Sequence, residues 1–366
     1  MSGMLSHLKV LELADGLGVY TGRILAELGA DVLKVGAVEA SAAWRVANAG
    51  KAVVSLDLRN PAGLARVEAL AAAADILLQG DGDRLAEAGL DFGRLSEANP
   101  GLISVIVAPF GEDGPMAGAP AADLTLMALS GVMHMVGEPA RPPRKLPGAQ
   151  AHALAGAQGA VAALTALQAR RTSGVGQRVV VSAFQSAVLA GYRDPIVWEW
   201  TGRIGQRTGN RLVRGASGVR QVWRVRDGYV TWSLVDNPGM MRGMAALMAA
   251  TGAADALAGI DWDKVLVAET PQAQIDVWEQ ALEHWFAGQS KHELARLSAE
   301  RGLGLSKIDT PEEALEADQW RARDFWRRLA DPSGGPDLPI PGPLFRSTVV
   351  TPADPPPAHA AQGFRS

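Results

Sequence analysis

The chain has no cysteine among its 366 residues. That excludes a disulfide scaffold, a thiolate zinc site, an iron–sulfur cluster and a cysteine nucleophile. Aromatic residues are scarce at 5%, with only three tyrosines. No stretch approaches the ~18 consecutive apolar residues that a membrane helix needs. Excess positive charge is also missing: 35 Lys and Arg against 39 Asp and Glu give a net charge of -4. A basic footprint for nucleic acid or anionic lipid is therefore absent. The first nine residues lack a basic region followed by an apolar core, so a secretory signal is not expected and a cytoplasmic location is. At 48% hydrophobic and 20% charged residues, the composition is that of a globular protein, long enough for two domains.

The first 190 residues alternate short apolar runs with helical patterns. Strands are expected at 8–13, 31–35, 52–56, 76–78, 102–107 and 177–182. Helices are expected at 20–29, from Pro61 to about Ala74, and over roughly 149–171. Asn60 and Pro61 supply an N-cap and a first helical residue whose missing N–H costs nothing. Strands separated by helices imply right-handed βαβ units and a largely parallel sheet. Beyond residue 197 the composition changes, with nine of the ten tryptophans. Residues 201–218 read as a linker. Val222 to Leu234, centred on Asp227-Gly228, reads as a hairpin. Helical periodicity follows at 240–250, 272–287, 291–301 and 311–323, and a proline-rich tail begins near Asp331. The expected domains are 1–200 (large), 219–328 (small α+β) and an extended 329–366 that returns to the large domain.

Few motifs carry chemistry on their own. Gly16, Gly18 and Gly22 follow the first strand like a dinucleotide fingerprint. The acid that should end the second strand is lacking, since that strand ends Val35-Gly36-Ala37-Val38 and Glu39 comes late, so nicotinamide binding is not expected. A glycine turn feeding a helix still offers an anion site. Six histidines are scattered with no i, i+3 or i, i+4 pair, so no metal site is expected. No G-x-S-x-G elbow is present. Asp123 reads as an acidic residue at a helix start. The tryptophans are better placed to pack the small domain's core than to bind an aromatic ligand.

Several stretches in order resemble the family III CoA-transferases. They are Leu25 to Val35, Asn48-Ala49-Gly50-Lys51 with Val54 to Leu58, Asn99 to Ile103 with Phe110 to Pro115, Gly137-Glu138-Pro139 before Pro142-Pro143, and Arg170 to Val179. The resemblance covers nearly the whole chain. It implies an α/β fold with a Rossmann-like large domain and a smaller α+β domain, in an interlocked dimer. No cofactor would be bound permanently, and CoA or acyl-CoA would be the substrate. The resemblance and the glycine turn together make Gly16, Leu17, Gly18, Asn48, Lys51 and Arg84 the expected CoA-site residues.

In that family an Asp four residues before a Gly, at the start of the long helix, attacks the acyl-CoA. It forms a mixed anhydride and then an aspartyl-CoA thioester. Gly156 sets the register here, and the residue four before it is His152. The family's CoA loop reads Gln79-Gly80-Asp81-Gly82-Asp83-Arg84, where two added acids are poor neighbours for a pyrophosphate. The racemase branch would need His at Ala122 and Asp at His152, so racemisation is not implied. Some members pair unlike subunits of which one lacks the Asp, as in the benzylsuccinate type, and this chain resembles the Asp-less one. Its expected partner is a homologous Asp-bearing subunit, or a second copy of itself. Two alternatives stand beside this: a homodimeric acyl-CoA enzyme with other chemistry at His152, and a non-catalytic binding member of the fold.

Overall fold

The computed structural model describes residues 3–215, 217–253, 257–348 and 354–365. Two compact units divide the chain. One comprises Met1–His134, Arg144–Gly205 and Asp318–Ser366; the other comprises Met135–Pro143 and Gln206–Ala317. Residues 206–218, expected as linker, thus group with the second unit, and 318–328, expected in the small domain, with the first.

The first unit is a βα alternation. Its elements run β1 (Lys9–Leu13), α1 (Val19–Glu27), β2 (Asp31–Val35), α2 (Ala42–Asn48), β3 (Ala52–Val54), α3 (Pro61–Ala72), β4 (Ile76–Gly80), α4 (Arg84–Glu87), α5 (Phe92–Ala98), β5 (Ile103–Ala108), α6 (Asp123–Leu129), α7 (Gln150–Ser173), β6 (Arg178–Ser182), α8 (Ala183–Val188) and α9 (Asp194–Thr201). β4 and β5 are buried at every position, as expected for central parallel strands covered on both faces. Asn60 caps α3 as its sequence implies, accepting from Gly63 N at 2.7 Å.

The second unit holds β7 (Arg211–Arg214), β8 (Ser217–Arg220), β9 (Val222–Val225), β10 (Gly228–Thr231), α10 (Pro238–Ala250), α11 (Gln272–Ala287), α12 (Lys291–Arg301) and β11 (Ser306–Ile308). β9 and β10 form the expected hairpin, and β11 adds antiparallel to β10. Trp223, Trp232, Trp262, Trp278 and Trp285 are buried together with Phe286 in its core. Packing is therefore their task. Two indole N–H groups are satisfied inside, from Trp223 to the Trp232 carbonyl at 2.7 Å and from Trp232 to the Leu303 carbonyl at 3.0 Å. The helix expected over 311–323 is instead two short ones, Pro311–Leu315 and Asp318–Ala322, and the chain passes between units in the gap.

The tail returns to the first unit. β12 (Arg327–Leu329) pairs with β13 (Leu338–Ile340), and β14 (His359–Ala360) joins the large sheet beside β3. That sheet is wholly parallel in the order β14-β3-β2-β1-β4-β5-β6. β1 and β4 are neighbours, but their crossovers leave in opposite directions along the sheet. The crevice beyond their carboxyl ends is the switch point where parallel α/β sheets place ligands.

Candidate functional site

Three segments meet at this switch point. The first is the turn from β1 into α1. Gly18 caps α1 with φ 87°, a conformation that suits glycine, and offers no side-chain cap. The second is the turn after β4. Asp81 adopts φ 63°, one of only two positive-φ non-glycine residues described. Such a backbone is uncommon outside glycine, though Asp and Asn tolerate it best. The Asp81 carboxylate lies against Gly16, where an added Cβ would fall 2.9 Å from its Oδ2. It also accepts a hydrogen bond from the Leu17 backbone.

The third segment is the start of α7. This helix packs closely on α1 because its facing residues are small. A Cβ on Gly156 would fall 2.5 Å from Tyr20 Cβ. Thr21 Oγ1 instead donates to the Gly156 carbonyl at 3.0 Å. His152 lies one turn before Gly156 and so reaches the same crevice. Its Nε2 is buried without a hydrogen-bond partner.

Asp123, at the first position of α6, accepts from Ala151 N at 2.8 Å and His152 N at 3.3 Å. It therefore caps α7 as well as opening its own helix, a role its sequence position did not reveal. Lys145 stands 3.5 Å from its other oxygen.

Electrostatics at the crevice are mixed. Crowding by neighbours raises the Asp81 carboxyl above its usual value, while the Leu17 N–H and the charges of His152 and Arg84 pull it back. Partial burial works upward on Asp15 too, but Lys34 and Arg84 outweigh it and hold that carboxyl low. Arg84 Nη1 is 3.3 Å from Asp15 Oδ2. The two acids of the 79–84 segment have different fates. Asp83 caps α4 through Ala86 N, accepts from Gln79 at 2.9 Å and pairs with Arg178 at 3.1 Å. Glu112 pairs with the same Arg178. Asp81 and Asp83 both border a cleft of about 580 Å³.

The expected site residues thus fall in three places. Gly16, Leu17, Gly18 and Arg84 line the two turns at the switch point, and His152 enters from α7. Asn48 and Lys51 lie below the surface at 2% and 0% exposure. Among the described residues no group of His, Asp and Glu is arranged to hold a metal.

The model of CoA-transferase family III matches residues 5–362. The chain belongs to that family. It is 28% identical over 363 residues to the succinyl-CoA:(R)-benzylsuccinate CoA-transferase subunit BbsE of Thauera aromatica, covering 92% of this chain and 86% of that one. It is 34% identical over 211 residues to a succinate–glutarate CoA-transferase of Agrobacterium fabrum, about half of each chain (51% and 53%). Among solved structures, a CaiB/BaiF family protein of Brucella suis superposes with a TM-score of 0.84 at 25% identity, covering 98% of this chain and 97% of that one. The chain is therefore a transferase-family protein, and CoA-transferases use an acyl-CoA as substrate.

Proposed function

We propose that this chain is the non-nucleophilic subunit of a heteromeric CoA-transferase acting on an organic acid in the cytoplasm. In this reading a homologous partner supplies the carboxylate that attacks the thioester. The observation that carries it is His152 at the head of α7. The family places its Asp four residues before a glycine, and here that glycine is Gly156, which packs on α1. An imidazole there cannot form the mixed anhydride on which CoA exchange depends. The BbsE likeness supports the reading, because that relative is itself described as a subunit.

A partner also needs a surface. In the first unit, Val161, Val180, Leu189, Tyr192, Ile196, Trp198 and Ile204 are exposed, and Trp200 is 85% exposed. Beside α7 and the edge strand β6 runs a groove of about 600 Å³ lined by Val161, Ala162, Val180 and Leu189. So much apolar surface on one segment of chain fits a protein interface better than a solvated face.

The test is co-expression with homologous Asp-bearing chains. The expected result is a stable complex that transfers CoA, and no transfer by this chain alone. Borohydride trapping of an aspartyl or glutamyl thioester on this chain alone would overturn it. A second reading, CoA-ester chemistry at His152 itself, is favoured by its unpartnered Nε2 and by its electrostatic influence on Asp81. Acyl-CoA hydrolysis by the isolated chain, lost in His152→Ala, would select it.

A further inference from the structure

Beneath the switch-point turn lies a buried charge cluster. Glu12 on β1, Lys34 on β2 and Lys51 before β3 are each at most 1% exposed. Glu12 Oε1 lies 2.8 Å from Lys51 Nζ and 3.5 Å from Lys34 Nζ. Burying ions is costly unless every donor finds an acceptor. Lys51 meets that condition. Its three N–H bonds go to Glu12, to the Val19 carbonyl at 3.0 Å and to Asn48 Oδ1 at 3.1 Å. Lys34 donates to the Ala14 carbonyl and to Asp15 Oδ1 at 3.0 Å.

These bonds are not scattered. Ala14 and Asp15 open the turn, and Val19 closes it. One lysine therefore grips each end of Gly16-Leu17-Gly18, and Glu12 ties the two lysines together. We propose that Glu12, Lys34 and Lys51 are positioning residues that hold the β1–α1 turn in the shape that receives the anionic part of acyl-CoA. The proposal rests on the CoA-ester reading above for the ligand, while the grip on the turn stands on geometry alone.

The cluster also makes the grip sensitive to pH. Burial, opposed by Glu12, lowers Lys51 to about 8. The charged groups facing it are Glu12 from β1, Lys34 from β2 and Arg23 from α1; Asn48 of α2 is a neutral acceptor. A neutral amine has two N–H bonds for three acceptors. One bond is then lost, and with it a positive charge below the turn.

Hydrogen exchange of the full chain, corrected for intrinsic rates, reads the turn directly. Protection of residues 17–20 should fall about tenfold as pH rises through about 8, with β1 unchanged. In the charge-neutral pair Glu12→Gln with Lys51→Met, it should be low at pH 7 and flat with pH. Asp15→Ala removes one leg of the grip, the acceptor for Lys34, through a side chain that is 64% exposed, so it leaves the core intact. It should lower the same protection. Calorimetry with coenzyme A should show about tenfold weaker binding in both variants. A turn equally protected in the wild type and both variants would overturn the proposal. So would a loosened turn with unchanged CoA affinity. If the wild type binds no CoA while its turn responds as described, the CoA reading fails and the grip on the turn stands.

Discussion

Asp123 provides the sharpest test of how the site is held. α7 has no side-chain cap of its own, because its N-cap position is Ala149. The Asp123 carboxylate does that work from α6, through Ala151 N and His152 N. Asp123→Asn keeps an acceptor of the same shape and removes only the charge. Losing a charge–dipole interaction at a helix N-terminus costs about 0.3–1 kcal/mol. Asp123→Ala also removes the acceptor, about 1 kcal/mol for a cap and up to about 3 when buried N–H groups are orphaned. These overlap, so about 2–3 kcal/mol is expected for Ala and about 0.5–1 for Asn. Lys145 adds little, since its side chain is 39% exposed and can be hydrated. A global melt would blur the difference, because the chain has two units. Amide exchange in the first turn of α7 reads it locally. Equal exchange in the Ala and Asn variants would refute the cap.

Three further outcomes follow from the same geometry. Gly156→Ala gains about 1 kcal/mol of helix propensity but drives a Cβ to 2.5 Å from Tyr20 Cβ. Overpacking at about 1–3 kcal/mol should win, lowering the thermal midpoint. His152→Asp should form no aspartyl-CoA thioester, read by borohydride trapping and peptide mass, because the new carboxylate would share its helix end with Asp123 and its crevice with Asp81. Asp81→Asn should stabilise the protein at pH 7, seen as a higher denaturant midpoint. Its carboxyl is raised in the fold, so its stabilising contribution is present below pH 3.8 and is lost as pH rises through the folded value.

The parallel sheet was legible because burial leaves a plain record. A strand covered on both faces must be apolar throughout, and Ile103 to Val107 shows it with Ser104 alone interrupting. The α3 start was legible because Asn60 and Pro61 act on their own neighbours. His152 was singled out through the family resemblance, whose register Gly156 sets; the contact of Gly156 with Tyr20 joins residues far apart in the chain and was not legible. What escaped reading acts over distance. Asp123 caps a helix that begins 27 residues later, and nothing in the spacing says so. Asp81 and Asp83 look alike in sequence, yet Arg178 neutralises Asp83 from 95 residues away and leaves Asp81 to the crevice. The unit boundary near residue 317 interrupts a helical pattern that periodicity alone would continue.

The three glycines after β1 show how a familiar spacing can serve a different end. In a dinucleotide fingerprint the last glycine lets the helix approach the strand. Here the last one is Gly22, and a Cβ on it would collide with the carboxylate of Glu12. The close approach is therefore between a helix and a buried charge. That charge is needed because two buried lysines must be neutralised, and the lysines are there because they grip the turn at Ala14 and Val19. Gly22, Glu12, Lys34 and Lys51 form one chain of dependence. Gly18 has a separate reason, its φ of 87°. A nucleotide's ribose needs an acid at the end of β2, but that strand ends in Val35 followed by Gly36. The distinguishing feature of this turn is thus its support from below, and that support fixes a backbone shape without choosing a nicotinamide ligand.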